Sequence, residues 1–515
     1  MTAAAHVPVV VIGAGPTGVT AATLLAQYGV DCLVLDRWAK VYPQPRAVHL
    51  DDEIFRIVAR LGIADEFAAI SRPTLGLRLL DKSMHTLAEF RRDTSLSRNG
   101  FPQANMFDQP EFEAVLRTNL ARRPHAELRG DVEVTDIADE AGGRVRVTYT
   151  DRTDGSEHVV VADYVLGCDG ANSITRSRIG SRMQDLGFEQ RWLVVDVATA
   201  ADLAHWEGVD QVCDPDRAGT YMRIGETRYR WEFQLLDGET ADDFDTLDAL
   251  GPLIHPWVDH VSTAELQLLR VTEYTFRAQL ADHWRRGPIF LLGDAAHLTP
   301  PFVGQGMGAG LRDAMNLAWK LAGVLAEALP GDVLETYEQE RKPHARHMIR
   351  LALAVGRAMT AGGEFGNLIR RMVVPRLHRL PGLSAKLVES ETPALHRSVL
   401  VQKSRAPRQL AGTLCPNPLV ASGTRLDSEI GNGFAVVTRT EPSAAERALA
   451  DQRGAVVHFA APGSALANWL RRGRADAAIV RPDRTVMRAG RDLTILFDAL
   501  PSSCGGTIWK ATPSQ

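Results

Sequence analysis

At 515 residues the chain is too long for a single hydrophobic core, and its length suggests about three domains. Apolar residues at 45% and charged residues at 23% are ordinary proportions for a soluble globular protein. A net charge of -5 creates no broad positive field, which argues against a nucleic-acid partner, and the local cluster Arg471, Arg472 and Arg474 reads as solvated surface.

The five cysteines, Cys32, Cys168, Cys213, Cys415 and Cys504, lie far apart. None forms a CxxC pair or takes zinc-ligand spacing, so neither a disulfide framework nor a metal site is expected, and the pattern suits a reducing cytoplasm. The segment Met1 to His6 has no basic stretch leading into a long apolar one. The apolar run Val7 to Ile12 is much too short to span a bilayer, so a soluble, cytoplasmic protein without membrane contact is expected.

Val9 to Ile12 is β-branched and apolar, the form of a buried parallel strand. It runs into Gly13-Ala14-Gly15-Pro16-Thr17-Gly18, then an Ala- and Leu-rich helical stretch from Val19 to Gln27, then a second strand from Cys32 to Leu35 that closes on Asp36. In this order the parts form a dinucleotide-binding unit. Gly13 permits the tight turn, Gly15 lets the backbone approach a pyrophosphate, and Gly18 lets helix and strand pack closely. The helix N-terminus offers N–H groups to the phosphates, and Asp36 can accept from ribose hydroxyls. This segment alone admits FAD or NAD.

Further along, Tyr164 to Gly167 reads as a strand delivering Asp169-Gly170, with Arg176 a turn beyond. Ile289 to Leu292 is another apolar strand, ending in Gly293-Asp294 and followed by His297. Acidic residues at such strand ends can bind a ribityl chain. Pro300 to Gly310 is glycine-rich and opens a helix whose apolar face includes Leu311, Ala314, Ala318, Leu321, Val324 and Leu325. Bare amides at Gly306 and Met307 would stabilise negative charge on a reduced flavin, and the set selects FAD.

These motifs, GAGPTG at residues 13–18, Asp169-Gly170 and Gly293-Asp294, resemble those of the class A flavoprotein aromatic hydroxylases, relatives of p-hydroxybenzoate and phenol hydroxylases. Within that family the likeness is to 3-(3-hydroxyphenyl)propionate hydroxylases, through Pro45-Arg46-Ala47-Val48 with Asp51-Asp52-Glu53, Phe107-Asp108-Gln109-Pro110, Cys213-Asp214-Pro215 and Arg230-Trp231-Glu232-Phe233. His49 departs from the pattern, where a small residue is expected. The resemblance implies that Arg46 and Gln109 contact the flavin, that Arg37 follows Asp36 at the cofactor, and that Pro301 lies near the reactive edge of the ring. It further implies that NADH or NADPH is a transient co-substrate and that O2 reacts at flavin C4a to a hydroperoxide that hydroxylates a phenol. No second Rossmann unit is present for the nicotinamide, which disfavours a disulfide-reductase architecture.

The implied fold is α/β: a Rossmann-like FAD-binding domain of glutathione-reductase type, an inserted mainly-β substrate domain and a C-terminal thioredoxin-like domain. The expected boundaries are 1–180 and 284–400 for the FAD-binding domain, with a helical extension over 346–400, 181–283 for the substrate sheet and 401–515 for the last domain. Substrate-sheet strands are expected at Leu193 to Val197, Gly219 to Ile224, Tyr229 to Leu236 and Glu265 to Thr275. Lacking CxxC, the last domain is expected to be structural.

A phenol has an ordinary pKa of about 10, so a base or proton relay is expected. His49, Tyr221 and Tyr229 are candidates for it, and Arg223 and Arg230 could clamp a substrate carboxylate. A structural role is the alternative for each. Two further alternatives are a tailoring hydroxylase of an aromatic polyketide or antibiotic and a non-catalytic flavin-binding protein. A halogenase is disfavoured because no WxWxIP segment occurs. A homodimer is the default oligomeric expectation.

Overall fold

The structure, a computed structural model, describes residues 5–42, 47–92, 94–214, 216–360, 392–404 and 410–501. Strand β1 (Ala5–Ile12) is fully buried from Val9 onward, as its unbroken apolar run requires. It pairs in parallel with β2 (Cys32–Leu35) on one side and with the Glu157–Gly167 strand on the other. Helix α1 (Pro16–Gln27) joins β1 to β2, so the chain turns to opposite sides of β1, and the crevice at its carboxyl end is the ligand position of an open α/β sheet. Ala126–Arg129 and Ile289–Leu291 extend the parallel sheet at its two sides.

A second sheet has the strand order His297–Leu298, Gln267–Ala281, Met183–Ala198, Arg228–Gln234, Gly219–Arg223, Val209–Val212, Gly76–Leu80, Thr86–Arg91. The continuous boundary 181–283 is therefore corrected. The hairpin at 76–91 joins through parallel pairing of Gly76–Leu80 with Val209–Val212, and His297–Leu298 closes the far edge. One face of this sheet is apolar. Leu193, Val195, Val197, Tyr221, Tyr229, Trp231 and Phe233 pack there with Leu250, Ile254 and Trp257 of the Leu247–Val258 helix. The opposite face turns toward the first sheet's domain: Met222 packs with Val48 and Met106, and Trp192 meets Phe302 edge-on with ring centroids 6.4 Å apart.

The helical extension expected over 346–400 appears as the last part of a Glu335–Thr360 helix. Residues 361–391 lie outside the described residues, and 392–404 are not helical. The last unit is a four-stranded sheet in the order Val456–Phe459, Ala435–Thr438, Ala477–Val480, Val486–Gly490, with only the first pair parallel. Helices Ala444–Gln452, Ala465–Arg472 and Leu493–Asp498 accompany it. It is joined to the Gly306–Leu325 helix by a shared core in which Phe434 stands edge-on to Trp319 at 5.5 Å. Beside that contact a fully buried ion network forms: Lys320 donates to Glu340 at 2.9 Å, and Arg481 binds both Glu340 oxygens at 3.0 Å.

Candidate active site

The glycine turn after β1 is fixed by close approach of other backbone. Gly13 has φ +101°, a left-handed value that favours glycine, and a Cβ there would overlap the Cys168 carbonyl. A Cβ on Gly18 would collide with the carbonyl oxygen of Gly13. Gly15 is different, with no atom within 4 Å of its would-be Cβ, so open space lies over the turn. Helix α1 has no side-chain cap and no acidic residue in its first turn, which leaves its N-terminal amides and dipole for an anion.

Asp36 stands at the end of β2 and accepts from Ala14 N at 2.5 Å and Trp38 N at 2.8 Å, so it shapes the turn. The cation beside it is Arg117, whose guanidinium reaches the Ala14 carbonyl at 3.2 Å and the Asp36 carboxylate at 3.7 Å. Arg37, expected at the cofactor, instead points outward, 3.9 Å from Glu133 and over the Trp38 ring. It follows Asp36 by one residue, and the chain turns away there. Sequence reasoning missed Arg117, which lies in the Gln109–Ala121 helix and has no local motif.

The later motifs converge on the same place. Asp169 accepts from Ser173 Oγ at 2.6 Å and from both Thr175 N and Thr175 Oγ1 at 2.9 Å, building its own turn. Arg176 then donates to the Ala171 carbonyl at 2.7 Å and to the Ala295 carbonyl at 3.1 Å, tying this turn to the Gly293-Asp294 segment. Gly293, at φ +60°, abuts Thr17, and Gly310 packs its bare Cα against both. Asp294 is half-buried beside it.

Asp313, another residue missed from sequence, holds this junction from behind. Fully buried, it accepts from Gly293 N at 3.0 Å, His297 Nε2 at 2.7 Å and Arg341 Nε at 2.8 Å. Burial alone would raise its pKa, but the charges of His297 and Arg341 outweigh that and hold it below the ordinary carboxylate range. The signal available in the sequence was the Arg312-Asp313 pair inside an otherwise apolar helix face.

The glycine-rich entry, with Gly306 and Met307 half-buried, forms the uncapped N-terminus of the Gly306–Leu325 helix, again without acidic residues in its first turn. Buried polar bonds set its position. Asp51 caps α2 (Asp52–Leu61) by accepting from Ile54 N at 2.9 Å, and also accepts from Gln305 at 2.9 Å and Arg312 at 2.7 Å. Gln109 accepts from Ala47 N at 2.7 Å and donates to Glu113 at 2.6 Å, which fixes the chain next to Arg46, itself outside the described residues.

Strand alternation divides the expected substrate residues between the two faces of the second sheet. Arg230 is on the inner face but fully buried, with its guanidinium donating to both Asp196 oxygens at 2.7 and 3.0 Å and with Arg270 adding a third bond at 2.6 Å. It therefore forms an internal ion pair through Nε and Nη2, with Nη1 buried and without a hydrogen-bond partner. Tyr221 is corrected: odd-numbered on its strand, it is 2% exposed and lies in the core under the Leu247–Val258 helix, its ring stacked 5.6 Å from Trp257. Tyr229 shares that face, and Arg223 pairs with Glu207 at 2.9 Å and lies over the Tyr229 ring.

His49 is placed differently. It pairs with Met106 across strands and its ring lies against Gly304 of the glycine-rich loop. Burial, reinforced by the nearby Arg92 charge, pushes its pKa down to about 4, so it is neutral at physiological pH. Pro301, half-buried, opens the single turn Pro301–Val303, which brings the half-buried Phe302 onto Trp192 of the inner face. Among the described residues no group of acidic, histidine or cysteine side chains could hold a metal ion, and no helix is long and apolar enough to cross a membrane.

Two uncapped helix N-termini, an open glycine turn and an acidic residue after β2 converge on one crevice, which fits the pyrophosphate, ribose and flavin parts of FAD. These features define an FAD-binding oxidoreductase. The sequence profile described as FAD binding domain matches residues 6–352, more than half the chain. A probable NADH-specific resorcinol 4-hydroxylase of Rhodococcus jostii (strain RHA1) is 32% identical over 94% of this chain and 92% of that protein. A 3-(3-hydroxy-phenyl)propionate/3-hydroxycinnamic acid hydroxylase of Burkholderia cenocepacia (strain HI2424) is 32% identical over 93% of each. In fold, the chain is similar to aklavinone-11 hydroxylase, solved with FAD and aklavinone, with a TM-score of 0.78, 24% identity and coverage of 96% and 98%. The chain belongs to the FAD-dependent aromatic hydroxylases.

Proposed function

We propose that this protein is an NADH- or NADPH-using monooxygenase that adds one oxygen atom of O2 to a phenolic ring, in the manner of the relatives named for resorcinol and for 3-(3-hydroxyphenyl)propionate. The observation that carries the reading is the polar inner face of the second sheet, set against the same glycine-rich loop that begins the Gly306–Leu325 helix. A non-catalytic flavin protein has no need of a polar sheet face at that end of the cofactor.

In this reading Gly13, Gly15, Gly18 and Asp36 hold the adenine half of FAD. Arg46, Gln109, Asp169, Gly293 and Asp294 hold its middle and ribityl chain, and the Gly306 and Met307 amides face the ring. FAD, when bound, carries reducing equivalents from the nicotinamide to O2 and supplies the oxygen atom for the ring. The chain's own residues orient the phenol, exclude water and manage its proton. His49 and Pro301 border that space, and the C-terminal unit is a thioredoxin-like structural element.

The test is NADH and NADPH oxidation by the purified flavoprotein with resorcinol or 3-(3-hydroxyphenyl)propionate, with product analysis. Stimulated oxidation yielding a product with one more hydroxyl is expected. Absence of stimulation by both, with FAD bound, would overturn this reading in favour of a hydroxylase of larger polycyclic phenols.

A further inference from the structure

The inner face of the second sheet carries a row of side chains read directly from strand register. Gln211 lies opposite Thr220, Thr220 opposite Glu232, Glu232 opposite Val194, and Val194 opposite Thr272. On one side of this row stand Gln234, Trp192 and Tyr274, with Trp192 touching Phe302 of the glycine-rich loop. On the other side stand Met222, Arg230, Asp196 and Arg270, with Met222 packed on Val48 and Met106. Glu232 thus sits between the two places where the sheet meets the FAD-binding domain.

Its neighbours bond chiefly one another, although Nη1 of Arg230 is buried without a hydrogen-bond partner. Gln211 Nε2 donates to the Gly219 carbonyl at 3.0 Å, and Thr220 Oγ1 donates to Gln211 Oε1 at 3.0 Å. Arg230 and Arg270 are engaged by Asp196. Glu232 is 9% exposed, yet it accepts a hydrogen bond from none of the described residues. A carboxylate so deeply buried is costly without donors, and buried polar groups in folded proteins almost always have a partner. The charged groups facing it are Arg230, Asp196 and Arg270; burial raises its pKa and Asp196 adds to that, while the two arginines oppose it.

We propose that Glu232 is the acceptor for the substrate's phenolic hydroxyl and takes its proton as the ring is oxygenated, an inference that rests on the hydroxylase reading above. The phenol O–H bond breaks and an O–H bond forms on the Glu232 carboxylate. The electron pair left on oxygen makes the ring carbon ortho or para to it nucleophilic toward the atom derived from O2, and the other oxygen atom leaves as water with two electrons from NAD(P)H. In the resulting cyclohexadienone the carbonyl oxygen recovers the proton from Glu232. The saturated ring carbon releases its own proton to water, and the aromatic ring returns with both hydroxyls.

The experiment uses FAD-loaded wild type, Glu232→Gln and Glu232→Asp, with whichever of resorcinol and 3-(3-hydroxyphenyl)propionate stimulates NAD(P)H oxidation by the wild type, and its O-methyl ether. Dissociation constants come from perturbation of the bound-flavin absorbance, and coupling from product formed against hydrogen peroxide released. The wild type is expected to prefer the phenol about tenfold or more over the ether at pH 8, because a hydrogen bond to a charged acceptor is among the strong ones. That preference should fall as pH drops through the raised range of the carboxyl. Glu232→Gln should keep its FAD, lose most of the preference and release peroxide; Glu232→Asp should lie between. A wild type that binds the ether as well as the phenol overturns the inference without any variant, as does a Glu232→Gln protein with unchanged preference and coupling. If neither phenol stimulates the wild type, the functional reading fails and the inference falls with it.

Discussion

Replacing Asp313 tests whether the flavin crevice is held from behind by one buried carboxylate. In Asp313→Ala three bonds vanish at once: Gly293 N at 3.0 Å, His297 at 2.7 Å and Arg341 at 2.8 Å. Arg341 keeps only the Ala309 carbonyl and neutral His344, so a fully buried guanidinium is left without its counter-charge. Breaking a buried pair in this way costs about 3–5 kcal/mol. Asp313→Asn keeps one acceptor oxygen and the shape, and should cost about 1–3 kcal/mol.

Urea titration followed by flavin fluorescence on release and by tryptophan emission should show FAD leaving first in both variants, in that order of severity. Acid adds a second reading. Because the folded pKa of Asp313 is depressed, its contribution is fully present above the ordinary carboxylate value of about 3.9 and disappears as pH falls through the folded value. The Asn variant should therefore hold FAD more weakly at neutral pH but lose it less steeply in acid. An Asp313→Ala protein with wild-type FAD retention and urea midpoint would refute the reasoning.

Gly18→Ala should abolish FAD binding, measured as the 450 to 280 nm absorbance ratio, because the new methyl collides with the Gly13 carbonyl and pushes α1 away from the turn. Tyr221→Phe should leave the rate of hydroxylation within about twofold, since that ring belongs to the core beneath the Leu247–Val258 helix; a loss of about tenfold or more in steady-state turnover would return it to the site. Arg481→Met leaves Glu340 and Asp483 facing Lys320 alone and should destabilise the C-terminal unit by about 3–5 kcal/mol, seen as an early step in urea unfolding monitored by limited proteolysis.

The cofactor crevice was legible because its requirements fall on the backbone. Where two main chains must touch, as at Gly13 and Cys168, only glycine serves, and the residue announces itself at a fixed spacing. Side chains that act across the fold gave no such notice. Asp313 and Arg117 reach their partners from helices far along the chain. On the second sheet the decisive variable was parity, since one residue changes the face. The alternation Tyr229, Trp231, Phe233 against Arg230, Glu232, Gln234 was present in the sequence and separates core from inner face, and it should have set Tyr221 and Tyr229 aside. The hairpin at 76–91 joins its sheet through a strand more than a hundred residues away, a pairing that no local pattern marks.

In the proposed reading the Gly306–Leu325 helix presents its first amides to the flavin crevice, and further along it offers Trp319 and Lys320 to the C-terminal unit. Cofactor capture and the docking of the last domain are thereby two loads on one rod, and thermodynamic linkage makes their influence mutual. Whatever factor the docked domain contributes to FAD affinity, FAD returns to the docking equilibrium. Apoprotein should accordingly expose the domain junction to protease more readily than holoprotein, although the two sites share no atom.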